Sequence, residues 1–101
     1  MEHIPVLREE VLNGLDPHTG DRIIDCTLGD GGHTRALLAR IGSTGRLLAI
    51  DLDEQNIDLF KERYTDLLSC VTLAQGNFSH VRDIALVHAF NPVQGILFDL
   101  G

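Results

Sequence analysis

Asp25-Cys26-Thr27-Leu28-Gly29-Asp30-Gly31-Gly32-His33-Thr34 is the stretch whose reading decides the fold. A short apolar run, Arg22-Ile23-Ile24, precedes it, and a helical pattern, Ala36-Leu37-Leu38 with Ile41, follows it. Strand, glycine-rich turn and helix in that order open a nucleotide-binding α/β unit. Glycine serves two ends there. The chain has to turn sharply, often through positive φ, and the backbone has to approach a ligand at a distance where a Cβ would intrude. The helix that follows presents unpaired N–H groups to the ligand.

Working outward, Arg22 to Cys26 reads as the first strand and Gly31 or Gly32 to about Ile41 as the first helix, with Leu37, Leu38 and Ile41 toward the sheet. Gly42-Ser43-Thr44-Gly45 ends that helix, and Arg46-Leu47-Leu48-Ala49-Ile50-Asp51 is a second strand. Its unbroken apolar character suits a strand covered on both faces, hence a parallel sheet. Asp53 is placed to N-cap the next helix, with Glu54 favourable in its first turn. Ile57, Phe60, Tyr64, Leu67 and Leu68 form its buried stripe. Cys70 to Ala74 is a third strand, Gly76-Asn77-Phe78 a turn, and Ser79 the cap of a third helix through about Ala89, broken by Asn91-Pro92. Gln94 to Asp99 is a fourth strand. On the N-terminal side, Leu7, Val11, Leu12 and Leu15 recur at helical spacing from Pro5 or Val6 onward, and Gly14, Asp16-Pro17 and Gly20 close that helix. Strands alternating with helices predict an α/β fold with a parallel sheet and right-handed crossovers.

The 101 residues make one small domain, and 44% hydrophobic with 23% charged is ordinary globular composition. No apolar run approaches the roughly twenty residues of a membrane span, and Met1-Glu2-His3-Ile4-Pro5 has neither the basic nor the long apolar region of a secretory signal. Cys26 and Cys70 make no disulfide framework and read as buried thiols on different strands, in a reducing cytoplasm. A net charge of −7 with scattered Lys and Arg does not suit a surface that grips a nucleic-acid backbone by itself. The last strand is short of a neighbour, so residues 1–101 read as the front half of a larger α/β domain whose open sheet edge offers a place for self-association.

Asp51 ends the second strand about twenty residues after the glycine turn, where a carboxylate accepts hydrogen bonds from both hydroxyls of an adenosine ribose. A solvated acid at a strand end is the plainer alternative for any single Asp. Two ligand classes use the ribose geometry, dinucleotides and S-adenosylmethionine, and the loop separates them. In a G-x-G-x-x-G dinucleotide fingerprint a third glycine lets helix and strand pack closely; counted from Gly29, that place is held by Thr34. Against the D-x-G-x-G-x-G of S-adenosylmethionine enzymes, Asp25-Cys26-Thr27-Leu28-Gly29-Asp30-Gly31 departs only in having Thr27 for the first glycine. Asp30 would repel a pyrophosphate but tolerates a sulfonium and an ammonium. Phe78 lies past the third strand, where an aromatic ring can stack on adenine or serve the core. Asp99 ends the fourth strand at the lip where open α/β sheets bind ligands, and could hold the ligand's amino group, orient the nucleophile or cap the next turn. His33 opens the first helix without a metal-ligand constellation around it, and a lone His is more often structural.

Together, His3-Ile4-Pro5-Val6-Leu7, Glu10-Val11-Leu12, the loop with Thr27, Gly31-Gly32-His33-Thr34, Ala49-Ile50-Asp51-x-Asp53, Gly76-Asn77-Phe78-Ser79 and Gly95-Ile96-Leu97-Phe98-Asp99-Leu100-Gly101 resemble the ribosomal RNA small subunit methyltransferase H family, in order and over essentially the whole chain. The resemblance implies the first half of a Rossmann-like class I methyltransferase fold, strand order 3-2-1-4, with S-adenosyl-L-methionine as cofactor. It implies cofactor contacts at Gly31, Gly32 and His33 in the loop, Asp51 at the ribose, Phe78 beside the adenine and Asp99 at the fourth strand. The activity it implies is methylation of the exocyclic N(4) amine of a cytidine in small-subunit (16S) ribosomal RNA by a cytoplasmic enzyme. The chain ends before the family's later Val-Ser-Ser-like stretch and its inserted helical domain. A non-catalytic cofactor-binding module is the first alternative, and an NAD-binding Rossmann half-domain, disfavoured by Thr34 and Asp30, the second.

Overall fold

A computed structural model describes residues 15–26, 28–29, 31–90 and 93–97. The strands are β1 (Arg22–Asp25), β2 (Arg46–Asp51), β3 (Val71–Gln75) and β4 (Gly95–Leu97), and the helices are α1 (Gly32–Ile41), α2 (Glu54–Arg63) and α3 (Val81–Val87). All strand pairs are parallel, in the order β3-β2-β1-β4. The predicted architecture and strand order therefore hold.

The apolar run of β2 alternates between two cores. Leu47 and Ala49 join Ile23, Leu37, Leu38, Ile41, Ile57 and Phe60 on the face covered by α1 and α2. Leu48 and Ile50 join Ile24, Ala74, Ala85 and Phe90 on the face beneath α3. A strand with both faces covered has no reason for polar alternation. Strands β1, β2 and β3 are laid down in one direction with their helices on one face. The chain then returns over the other face with α3 and adds β4 on the far side of β1. That reversal puts the topological switch point at the C-terminal ends of β1 and β4, the crevice in which open α/β sheets take ligands. Cys26 N–H donates to the Leu97 carbonyl at 2.8 Å and so ties the two strands together at that end.

Several boundaries differ from the sequence reading. β1 ends at Asp25, and β3 begins at Val71 and runs to Gln75, so Cys26 and Cys70 flank strands instead of lying in them. Both are free thiols and only half-buried. α2 stops at Arg63, Tyr64 caps it, and a 3₁₀ turn follows over Thr65–Leu67. The tighter turn breaks the 3.6-residue phase, which leaves Leu68 exposed instead of completing the buried stripe. Ser79 does not cap the third helix: it lies inside a 3₁₀ turn, Phe78–His80, and Asn77 Oδ1 accepts the Ser79 N–H at 3.0 Å. That is an Asx turn opening the 3₁₀ turn, and α3 itself starts after His80 with no side-chain cap. α3 also ends earlier, at Val87, and the backbone turns over at Ala89 with φ 59°. The N-terminal helix before Leu15, the Asn91-Pro92 break and the strand residues Phe98 and Asp99 lie outside the described residues.

Candidate cofactor site

The loop between β1 and α1 is shaped by two left-handed glycines, Gly29 at φ 46° and Gly31 at φ 90°. Gly31 N–H donates to the Leu28 carbonyl at 2.6 Å, and the Gly31 carbonyl accepts from Arg35 N–H at 2.9 Å, so the turn closes directly into α1. Gly31 is the N-cap and brings no side chain to cap with. The close approach that excludes a Cβ at this glycine is to the protein itself. A Cβ would lie 2.8 Å from Phe60 Cδ2 and 2.9 Å from Tyr64 Cε2. These two rings of α2 and its cap pack at 4.9 Å between centroids and wedge against the turn.

Asp51 closes β2 beside this loop. Its Oδ2 accepts from Gly29 N–H at 3.0 Å and from Asn56 Nδ2 at 3.1 Å, and its Oδ1 accepts from Asp53 N–H at 2.8 Å. Asp53 is itself the N-cap of α2, as expected, its Oδ1 taking the Gln55 N–H at 2.9 Å. A carboxylate has roughly four acceptor positions. Among the described residues, protein donors take two positions on Oδ2 and one on Oδ1, so one Oδ1 position has no donor among them. The glycine turn and the acid one strand over, which sequence reasoning paired, are thus joined by a direct hydrogen bond.

Beneath the loop lies a second pair. Asp25 and Thr34 are both fully buried, and Thr34 Oγ1 donates to Asp25 Oδ2 at 2.7 Å. The Asp25 charge, after burial itself, helps push the Cys26 thiol up to about 11. At neutral pH that thiol is protonated and is no nucleophile.

Of the predicted contacts, Gly31, Gly32, His33 and Asp51 are gathered at the C-terminal ends of β1 and β2. His33 Nε2 is a buried nitrogen without a hydrogen-bond partner among the described residues. The backbone of Phe78 lies in the 3₁₀ turn two residues past Gly76, whose N–H donates to the Asp51 carbonyl at 3.0 Å. The β3 end is therefore on the same side of the sheet. Asp99 lies outside the described residues. Sequence reasoning missed Asn56, a polar residue in the first turn of a helix and indistinguishable there from a solvated face. It noticed Asp25 and Thr34 without pairing them.

The residues at hand fit an adenosine-bearing cation. A carboxylate with one position free of donors among the described residues and a helix start without a side-chain cap lie at the C-terminal ends of neighbouring strands, and the nearby acids Asp25, Asp51 and Asp53 favour positive charge.

The profile of the MraW methylase family matches residues 1–101. Ribosomal RNA small subunit methyltransferase H of Dehalococcoides mccartyi is 46% identical over 99 residues, which cover 98% of this chain and 28% of that protein. The chain thus spans about a third or less of the length of the curated relatives it matches. Among solved structures, a SAM-dependent O-methyltransferase from Thermotoga maritima superposes with TM-score 0.69 at 28% identity, over 79% of this chain and 31% of that one. A protein from Clostridium thermocellum described as a putative rRNA-methylase superposes with TM-score 0.79 over the whole chain and 54% of its own; at 24% identity it speaks for the fold alone. The chain belongs to the MraW methylase family.

Proposed function

We propose that the protein is an S-adenosyl-L-methionine-dependent methyltransferase that acts on the exocyclic N(4) amine of a cytidine in small-subunit (16S) ribosomal RNA. The observation that carries the cofactor half is the bond from Gly29 N–H to Asp51 Oδ2 at 3.0 Å, which fixes a carboxylate against a glycine turn at the switch point of the sheet. The substrate half rests on the relatives' names.

In this reading Asp51 holds the ribose, Gly31, Gly32 and His33 border the methionine end, Phe78 lies beside the adenine, and Asp99 serves the fourth-strand lip. The bound cofactor supplies an electrophilic methyl group on a sulfonium. The chain's own work is positioning, which converts an encounter into an effectively unimolecular step. Asp51 and the loop orient the cofactor, and α2 braces the loop through Phe60 and Tyr64. The target base has to leave its stack to bring the amine within reach.

Titration calorimetry with S-adenosylmethionine, S-adenosylhomocysteine and NAD tests the cofactor half. Binding of the two sulfur ligands and not of NAD is expected, and NAD binding without response to them would overturn it. Transfer of a labelled methyl group to small-subunit RNA, mapped to a cytidine N(4), tests the substrate half, and label on another atom would refute it.

A further inference from the structure

Resting on the cofactor reading above, we propose that Thr34 and Asp25 are a positioning pair that holds the glycine loop in its binding shape. Asp25 is the last residue of β1 and Thr34 the third residue of α1, so the 2.7 Å bond from Thr34 Oγ1 to Asp25 Oδ2 ties the two ends of the loop together from below. Both residues have no solvent exposure. Burying a carboxyl group is costly unless it is held by donors. The preceding strand residues, Ile23 and Ile24, are apolar, and an apolar pair at 25 and 34 would fill the same space without that cost. The polar pair is found instead at the two ends of the loop that leaves β1 at the switch point.

Thr34 also stands where a dinucleotide fingerprint has its third glycine, whose task is close contact between helix and strand. Here the helix start is held to the strand by a directional bond. What that bond controls is above it: the turn from Leu28 to Gly31, closed at 2.6 Å, and the Gly29 N–H aimed at Asp51 at 3.0 Å. If the helix start slips, the Gly29 donor and the first-turn backbone lose their common orientation. Neither residue has to touch the ligand for binding to depend on both.

The test compares Thr34→Val, Thr34→Ala and Thr34→Ser by calorimetry with S-adenosylhomocysteine, each well below its own melting temperature, with hydrogen exchange of the loop amides. The serine variant keeps the hydroxyl and should bind within threefold of the unsubstituted chain. The valine and alanine variants should bind tenfold or more weakly, with faster exchange at Gly29 and Gly31 and unchanged protection in β2. A purely structural bond would lower the melting temperature while leaving the dissociation constant of the folded chain alone, and that result overturns the proposal. Should the valine variant fail to fold, equal affinity of the alanine and serine variants overturns it as well. Absence of S-adenosylhomocysteine binding by the unsubstituted chain would instead overturn the cofactor reading on which the pair rests.

Discussion

Replacing Asp51 by alanine should weaken S-adenosylhomocysteine binding at least tenfold, and the structure sets that floor. Among the described residues one Oδ1 position of the carboxylate has no donor, so one ribose hydroxyl can bond there without displacing any of the three donors Gly29, Asp53 and Asn56. A hydrogen bond to a charged group contributes about 1.5–3 kcal/mol net, and about 1.4 kcal/mol is a factor of ten. One lost bond therefore accounts for about tenfold or more. A second ribose bond, gained if Asn56 turns away from Oδ2, would carry the loss toward a hundredfold or beyond. The fold should survive. Asp51 is only half-buried, so water can satisfy the Gly29 and Asp53 N–H groups it leaves, and the stability loss should stay near about 1–2 kcal/mol. Calorimetry on the folded variant, with a urea titration in parallel, separates the two effects. A folded Asp51→Ala chain that binds within twofold of the original would refute the ribose assignment.

Three further outcomes follow from the geometry. Gly31→Ala should destabilise the chain by about 2–4 kcal/mol, from a left-handed backbone and a Cβ driven onto the Phe60 and Tyr64 rings; a change under about 0.5 kcal/mol in denaturant unfolding would contradict the packing described. Asp53→Ala should cost about 1 kcal/mol through loss of the α2 N-cap bond, with ligand affinity little changed because the Asp53 N–H still reaches Asp51; an unaltered urea midpoint would argue against the cap. Cys26 holds its proton up to about pH 11, so the thiolate is scarce at pH 8 and alkylation by iodoacetamide should be far slower than in the unfolded chain, rising as pH climbs toward that value. Asp25→Asn removes one of the two causes and should speed the reaction, and labelling of Cys26 at the unfolded rate at pH 8 would overturn the assignment.

Some of this was legible in the residues and some was not, for physical reasons. β2 is readable from Arg46 to Asp51 because a strand enclosed on both faces has to be apolar throughout. The α2 start is readable because capping is local chemistry, settled within three residues. The start of α3 was misread because a 3₁₀ turn, opened by Asn77, intervenes before the helix, which starts after His80 with no side-chain cap for the sequence to announce. The end of the α2 stripe failed for the same reason, since periodicity carries no notice of a change from 3.6 to three residues per turn. Asn56 could not be found at all. Its partner is five residues back on another element, and the contact exists only once α2 is laid over the end of β2.

The glycine loop carries the harder lesson. Two demands on glycine were read from its sequence, a sharp turn and room for a ligand, and the turn is met at Gly29 and Gly31. At Gly31, however, the missing Cβ makes room for Phe60 and Tyr64, so the loop is braced from α2 on one side and tied through Asp25 and Thr34 below. A loop held from two sides enters binding with little ordering still to be done, which is how preorganisation raises affinity without adding contacts. Acids also gather here: Asp25, Asp51 and Asp53 contribute to the net charge of −7 in a chain whose relatives are named for RNA. Carboxylates gathered at the switch point suit a cationic cofactor and repel a phosphate backbone, so in the proposed reaction the cofactor and the RNA have to be met by different surfaces.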